Sequence, residues 1–279
     1  MGIVSSERRL VVFVSVAAVL LGLALSASRA AAAVDEATCY ANTLNDHLRQ
    51  FRCINPNTAS DDAAISGIGP TEDVVGIDFA NRGQLYGVTR DSTGVGRVYT
   101  LSTQTASFGA ATLHCVITGA VLDGMAPSSF GVDFDTHSGV LRIVSDKEQN
   151  LSVDPTAGAC PASVQGALHY PSRRLNPNVT AAGYDSFGTL FDLDTKQDLA
   201  VTQDPIAGTL TPYLDPGFDI ARPAGLDVGC NDEGLAAIRI AGSPGSILVA
   251  EDGSLIGSFG NRIMNGLAID PATCGSTPV

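Results

Sequence analysis

The chain has 279 residues, a net charge of −13 and a sequence pI near 4.5. An acidic surface of this kind repels phosphate backbones, and no basic cluster offsets it, which excludes nucleic acid as a partner. The acidity suits solubility outside the cell, or the company of divalent cations.

At the N-terminus, Glu7, Arg8 and Arg9 precede an uncharged run from Leu10 to Ser28, followed by small residues at Ala30 to Ala33. A charged start, an apolar middle and a small-residue end describe a secretory signal peptide over 1–33, cut near Ala33-Val34. An uncleaved anchor is the alternative, because the apolar run nearly reaches the ~20 residues that span a bilayer. After cleavage no second apolar run approaches membrane length. The expected location is extracellular, or periplasmic in a Gram-negative bacterium.

Six cysteines follow: Cys39, Cys53, Cys115, Cys160, Cys230 and Cys274. An even count behind a signal peptide reads as a set of disulfides, and no C-x-x-C pair suggests zinc or redox chemistry. Cys39 with Cys53 is the most local pairing, across a hairpin turning at Asn45-Asp46. The remaining connectivity stays open.

From about Leu48 onward the chain reads as short strands and turns. Strands are expected over Leu48–Ile54 and Ala63–Ile68, then at Ile77–Phe79 and Leu85–Val88 around the turn Asn81-Arg82-Gly83. Val98–Ser102 supplies a third strand. Val132–Phe134 and Val140–Val144 flank Asp135–Gly139, a Gly-bearing hairpin loop. Leu190–Asp194 reads as another third strand. Ile247–Ala250 and Leu255–Phe259 flank Glu251–Ser254. Helical periodicity is nowhere sustained.

One phrase recurs through this series: Gly, an apolar residue, then Asp. It stands at Gly76-Ile77-Asp78, Gly131-Val132-Asp133, Gly183-Tyr184-Asp185 and Gly225-Leu226-Asp227, with an altered fifth copy at Gly266-Leu267-Ala268. Copies roughly 40–55 residues apart, each opening a set of strands, predict a β-propeller with one four-stranded blade per repeat. Five blades are preferred and six are the alternative. The last strand, Gly266–Asp270, has no partner after it, so pairing with the first strands would close the ring. No linker interrupts residues 34–279, which read as one domain and a monomer.

The same residues resemble a secreted, mainly bacterial family known as domain of unknown function 4394. Asp78-Phe79 leading to Gly83-Gln84-Leu85-Tyr86 carries the likeness, as does Ser129-Phe130-Gly131-Val132-Asp133-Phe134. The most specific piece runs Arg142-Ile143-Val144-Ser145-Asp146, Gln149-Asn150-Leu151, Pro155-Thr156-Ala157-Gly158. Gly166–Tyr170, Pro177-Asn178-Val179 and Ala181–Tyr184 continue it. The resemblance implies a secreted, propeller-like repeat domain and supplies no catalytic residues. Two departures stand out: Ala80-Asn81-Arg82-Gly83 replaces a Pro-x-x-Gly turn, and Ser152 replaces an arginine.

The repeated acids are the sharpest site candidates. On innermost strands, Asp78, Asp133, Asp185 and Asp227 would face one axial channel, where hard cations such as Ca²⁺ take carboxylate ligands. The more economical reading is that each Asp accepts hydrogen bonds from turn amides of its own blade. Asp192-Leu193-Asp194 and Asp133-Phe134-Asp135 also pair acids along a strand, and solvated turn acids explain them more simply. His47, His114, His137 and His169 are dispersed. Gly242-Ser243-Pro244-Gly245-Ser246 lacks the spacing of a nucleophile elbow. Of two sequons, Asn150-Leu151-Ser152 lies in the family pattern, so Asn178-Val179-Thr180 is the better glycan acceptor.

The leading expectation is therefore a non-catalytic binding module whose ligand is an extracellular protein, a polysaccharide or a small molecule. No cofactor is firmly predicted. The alternative is a Ca²⁺-dependent propeller hydrolase or lactonase working from the central carboxylates.

Overall fold

A computed structural model describes residues 37–80, 83–125, 129–156, 158–172 and 175–274, with the side chain of Cys230 also outside the description. The segment read as a signal peptide lies outside the described residues, as does the middle of the Ala80–Gly83 turn.

Among the described residues, twenty strands form five antiparallel sheets of four. Blade 1 holds β1 (Thr38–Thr43), β2 (His47–Arg52) and β3 (Asn55–Ala64), with β20 (Met264–Ile269) as its innermost strand. Blade 2 holds β4 (Glu72–Ala80), β5 (Gln84–Asp91), β6 (Gly96–Leu101) and β7 (Ala111–Val116). Blade 3 holds β8 (Phe130–Phe134), β9 (Leu141–Ser145), β10 (Asn150–Val153) and β11 (Ala162–Val164). Blade 4 holds β12 (Val179–Tyr184), β13 (Leu190–Asp194), β14 (Leu199–Gln203) and β15 (Leu210–Leu214). Blade 5 holds β16 (Ile220–Gly229), β17 (Glu233–Ile240), β18 (Ile247–Ala250) and β19 (Leu255–Ser258). The innermost strands touch in the order β20, β4, β8, β12, β16 and back to β20, closing a ring.

The five-bladed propeller is thus the architecture, and the two chain ends share a blade. Ala41 pairs with Leu267 and Tyr40 with Ala268, so the last strand is held by the first. The last strand thus gives blade 1 its innermost member and completes the ring. Two strand readings shift: Leu190–Asp194 is the second strand of its blade, and most of Ala63–Ile68 lies beyond the end of β3.

The core is divided among the blade interfaces. Four of the five clusters are built around buried aromatic rings: Tyr40, Phe79 and Tyr99; Phe130 and Phe134; Tyr170 and Tyr184; Phe51 and Phe259. The fifth, between blades 4 and 5, has no fully buried ring and relies on Ala181, Ala224, Ala236 and aliphatic residues.

Near the axis the strands approach backbone to backbone, and glycine permits it. A Cβ on Gly131 would lie 2.6 Å from the Ala181 carbonyl carbon, and one on Gly225 2.5 Å from that of Gly266. Replacing Gly131 by Ala forces the strands apart and is expected to cost roughly 2–3 kcal/mol. Gly158, with nothing within 4 Å of its would-be Cβ, is the control. Its change to Ala should stay within about 0.5 kcal/mol in urea unfolding.

Two disulfides lie wholly within the described side chains, the coarse signature of an oxidising compartment. Cys39–Cys53 ties β1 to the end of β2 (Cα–Cα 5.0 Å), as the hairpin suggests. Cys115–Cys160 ties β7 of blade 2 to the residue before Pro161 and β11 of blade 3 (Cα–Cα 5.8 Å). Cys274 is also disulfide-bonded, and its partner lies outside the described side chains. Because Cys115 and Cys160 stand 45 residues apart, the Cys115→Ser/Cys160→Ser variant should lose about 4 kcal/mol in denaturant unfolding.

Candidate functional site

The tight axial packing decides what the repeated acids do. Asp78 on β4, Asp133 on β8 and Asp227 on β16 each follow an axial glycine by two positions, so each projects to the same face as its glycine. One carboxylate oxygen from each lies within 4.8 Å of the others. All three side chains are buried.

These acids are not blade-internal struts, which corrects the simpler expectation. The Phe134 backbone N–H donates to Asp78 Oδ2 (2.7 Å), the Tyr184 N–H to Asp133 Oδ2 (2.7 Å) and the Ile269 N–H to Asp227 Oδ2 (2.6 Å). Each donor belongs to the next blade, so each carboxylate bridges two inner strands. The blades cannot satisfy these amides alone, since inner strands do not pair with one another.

The same bonds fix the true register of the repeat. Asp78 receives its bond from the residue after Asp133, and Asp227 from the residue after Ala268. Asp133 receives its bond from Tyr184, which makes Gly183, not Asp185, the equivalent position in blade 4. Hairpin pairing agrees: Phe79 faces Leu85, Phe134 faces Leu141 and Tyr184 faces Leu190. The ring therefore reads Asp78, Asp133, Gly183, Asp227, Ala268. Gly183 and Ala268 leave the space that three carboxylates share.

Asp185 stands two residues further along, in the turn after β12. Its Oδ1 accepts the N–H of Phe187 (2.9 Å) and Thr189 (2.7 Å), as Asp135 in blade 3 accepts that of His137 (2.9 Å). Asp185 is thus the counterpart of Asp135, a turn residue. Its place outside the cluster was detectable in the sequence. Aligning Phe79, Phe134 and Tyr184, then the turn acids Asp135 and Asp185 that follow the last two, gives this register directly.

Burial raises all three axial carboxyls. Asp78 is pushed up to about 7 by loss of water, opposed by the hydrogen bonds from Phe134, Asp133 and Phe79. Asp133 rises well above the carboxylate range through burial, then through the charges of Asp78 and Asp227. Asp227 rises through burial and the charge of Asp78. Three carboxylates at this separation cannot all ionise without a counter-charge.

Above them opens a pocket of about 360 Å³ at one end of the axis, walled further by Tyr184, Asp185, Ser186 and Asp232. Among the described residues no Lys, Arg or His lines it. Asp232, which the sequence reading did not single out, accepts the Ser186 N–H (2.7 Å) from across the blade boundary. It lies in a turn where Asn231 and Asp232 both have φ of 61°, a conformation Asn and Asp tolerate better than most residues. The deeper end of the axis narrows to about 10 Å³ between Gly76, Gly131, Gly225 and Gly266. Access to the carboxylates is from the pocket.

The remaining acids and motifs stand apart from the axial cluster, and Asp192 and Asp194 are buried rather than the solvated turn acids expected. Asp194 is buried and accepts the Tyr170 hydroxyl (2.7 Å) and the backbone N–H of Asn178 (3.0 Å) and Lys196 (3.0 Å). Asp192 is fully buried, its carboxyl raised by burial against the pull of Arg142. The Arg142…Asn150 piece of the family pattern is a buried strut. Arg142 donates to Asn150 Oδ1 (2.8 Å) and the Tyr184 hydroxyl (3.2 Å), and Asn150 donates to the Gly166 and Pro205 carbonyls (3.1 and 3.2 Å). Asn150 is therefore no glycan acceptor. Asn178 is half-buried ahead of β12, and Thr180 of its sequon is buried.

Among solved structures, a protein of unknown function from Bacteroides caccae superposes with a TM-score of 0.52 at 5% identity, covering 84% of this chain and 99% of its own. A luciferin-regenerating enzyme gives a TM-score of 0.43 at 10% identity, over 72% of this chain and 67% of that one. The first likeness is one of fold alone. No curated protein matches the sequence. The family model described as a domain of unknown function, DUF4394, matches residues 47–253, well over half of the chain, and the chain belongs to that family.

Proposed function

We propose that this protein is a secreted binding module that holds a hard divalent cation, Ca²⁺, on Asp78, Asp133 and Asp227 and uses it to capture an oxygen-bearing ligand in the axial pocket. The observation that carries this reading is the convergence of three buried carboxylates with no basic side chain, among the described residues, lining their pocket. Isolated buried charges are costly, and a bound cation removes that cost.

The dimensions are compatible with Ca²⁺. Its ligands lie at 2.3–2.6 Å, so any two of them stand no more than about 5.2 Å apart. Three oxygens within 4.8 Å of one another meet that condition. Mg²⁺ at about 2.1 Å needs a tighter cage and holds its water more firmly. Six to eight ligands are needed in all, so water and ligand oxygens from the pocket would complete the shell. A small molecule or the end of a glycan suits a pocket of this size better than a protein surface does.

A hydrolase or lactonase is the second reading, favoured by the opening of the pocket directly over the carboxylates. A cation there would polarise a carbonyl. Calorimetric titration with Ca²⁺ after EDTA treatment and dialysis tests the shared part. One ion per chain is expected, with no binding to Asp133→Asn. Ester and lactone turnover in the Ca²⁺-loaded protein would then favour the enzyme, and saturable glycan binding without turnover the binding module.

A further inference from the structure

A second cavity, of about 230 Å³, lies between blades 4 and 5. Its walls are Leu193, Ile220, Leu226, Leu235, Ile238 and Val249, with Ala200 and Ala236 where bulk is missing. Its origin is visible in the core. The other four blade interfaces are each filled by two or more buried aromatic rings, whereas this one has none fully buried. An apolar void of about 150 Å³ is already large enough to take up benzene.

The mouth has a different character. Asp185, Asp232 and Glu251 line the cavity; Asp185 is engaged by the turn amides of Phe187 and Thr189, and Glu251 accepts the hydroxyl of Tyr213. Three aromatic side chains line it, Phe187 at 81% and Tyr213 at 50% exposed, and half-buried Phe191, whose ring packs edge-on against Tyr213 with centroids 5.2 Å apart. Among the described residues no basic side chain lines this cavity.

From this we propose a small-molecule site between blades 4 and 5 that takes an aromatic body into the apolar cavity and holds a cationic amine at Asp232 and Glu251. The missing interblade ring is supplied by the ligand. Aromatic faces beside carboxylates favour an ammonium over a neutral or anionic head. Asp232 also lines the axial pocket, so the two sites open side by side at one end of the propeller. Nothing in the amine site depends on the axial cation.

Tryptamine is a suitable probe, because the chain has no Trp and the indole emission can be read without background. Titration in EDTA should give saturable one-to-one binding with a sub-millimolar Kd. Indole propionate, of the same body and opposite charge, should bind roughly tenfold or more weaker. Glu251→Gln should narrow that gap without changing the melt. The double variant Ala200→Leu/Ala236→Leu fills the void, so it should melt no lower than the parent and lose tryptamine binding. Absence of saturable binding to the parent overturns the proposal. So does unchanged binding by a folded, filled variant, or equal affinity for the amine and the acid.

Discussion

Cation-free protein is expected to lose stability as the pH rises from about 4 to about 7, the reverse of ordinary acid denaturation. The sign follows from the axial carboxyls. Asp78 is raised to about 7 in the folded state, and Asp133 and Asp227 are raised as well. An unfolded Asp titrates near 3.9. Between these values the folded chain keeps protons that the unfolded chain has released, so stability falls with pH. Each such carboxyl contributes a slope of about 1.4 kcal/mol per pH unit while the mismatch lasts. Asp204 and Asp252 act in the opposite direction, since hydrogen bonds from Ala207 and Ile206, and from Ser254, hold them below the usual range. Their contribution is present above the unfolded value and disappears as pH falls through the folded one. A maximum near pH 4 to 5 is expected from the two together. Urea unfolding across this range in EDTA checks it. Ca²⁺ should flatten the alkaline side, because the ion binds only the deprotonated cluster, and its affinity should rise with pH. Asp78→Asn/Asp133→Asn/Asp227→Asn should remove the slope in EDTA and the response to Ca²⁺ together.

The second large effect concerns ring closure. A chain ending at Arg262 lacks β20, and with it buried Met264, Leu267 and Ile269. At roughly 1.5–3 kcal/mol for each buried side chain, the loss is about 5–9 kcal/mol. That matches the whole stability of an ordinary domain. The truncation also exposes β1 and removes the amide of Ile269 that Asp227 accepts. No cooperative thermal transition is expected from the truncated chain. A synthetic peptide of residues 263–270 added in trans should restore one, because the missing strand is held by pairing with β1 and not by the chain that leads to it. A truncated chain that melts like the parent would show that β20 is dispensable for closure.

Much of this architecture is legible in the residues. The Gly-x-Asp copies mark the inner strands, their spacing marks the blades, and the unpartnered last strand points to closure by β1. The site is legible only in part. Three of the four repeated acids meet at the axis, and Asp185 does not. Side chains alternate with a period of two, so a slip of two residues leaves Asp185 on the same face while carrying it about 6.6 Å along the strand. A tripeptide cannot reveal such a slip, whereas the aromatic after the Asp and the turn acid beyond it can. The bridging of blades by Asp78, Asp133 and Asp227 needed the positions of neighbouring inner strands. The void between blades 4 and 5 was illegible for a similar reason. Ala200 and Ala236 are ordinary strand residues until two sheets from distant parts of the chain face each other.

The most direct test of the cation site is a thermal melt in EDTA near pH 7.5 with Ca²⁺ then titrated in, run on the parent, Asp133→Asn and Asp185→Asn. A ligand that binds only the folded state raises the midpoint with its concentration, by about 2.7 kcal/mol at a hundredfold excess over Kd. The parent and Asp185→Asn should both show the rise, since an asparagine side chain keeps that turn and the position lies outside the cluster. Asp133→Asn should show none. A parent that ignores Ca²⁺, or a rise that survives in Asp133→Asn, would contradict the axial cation site.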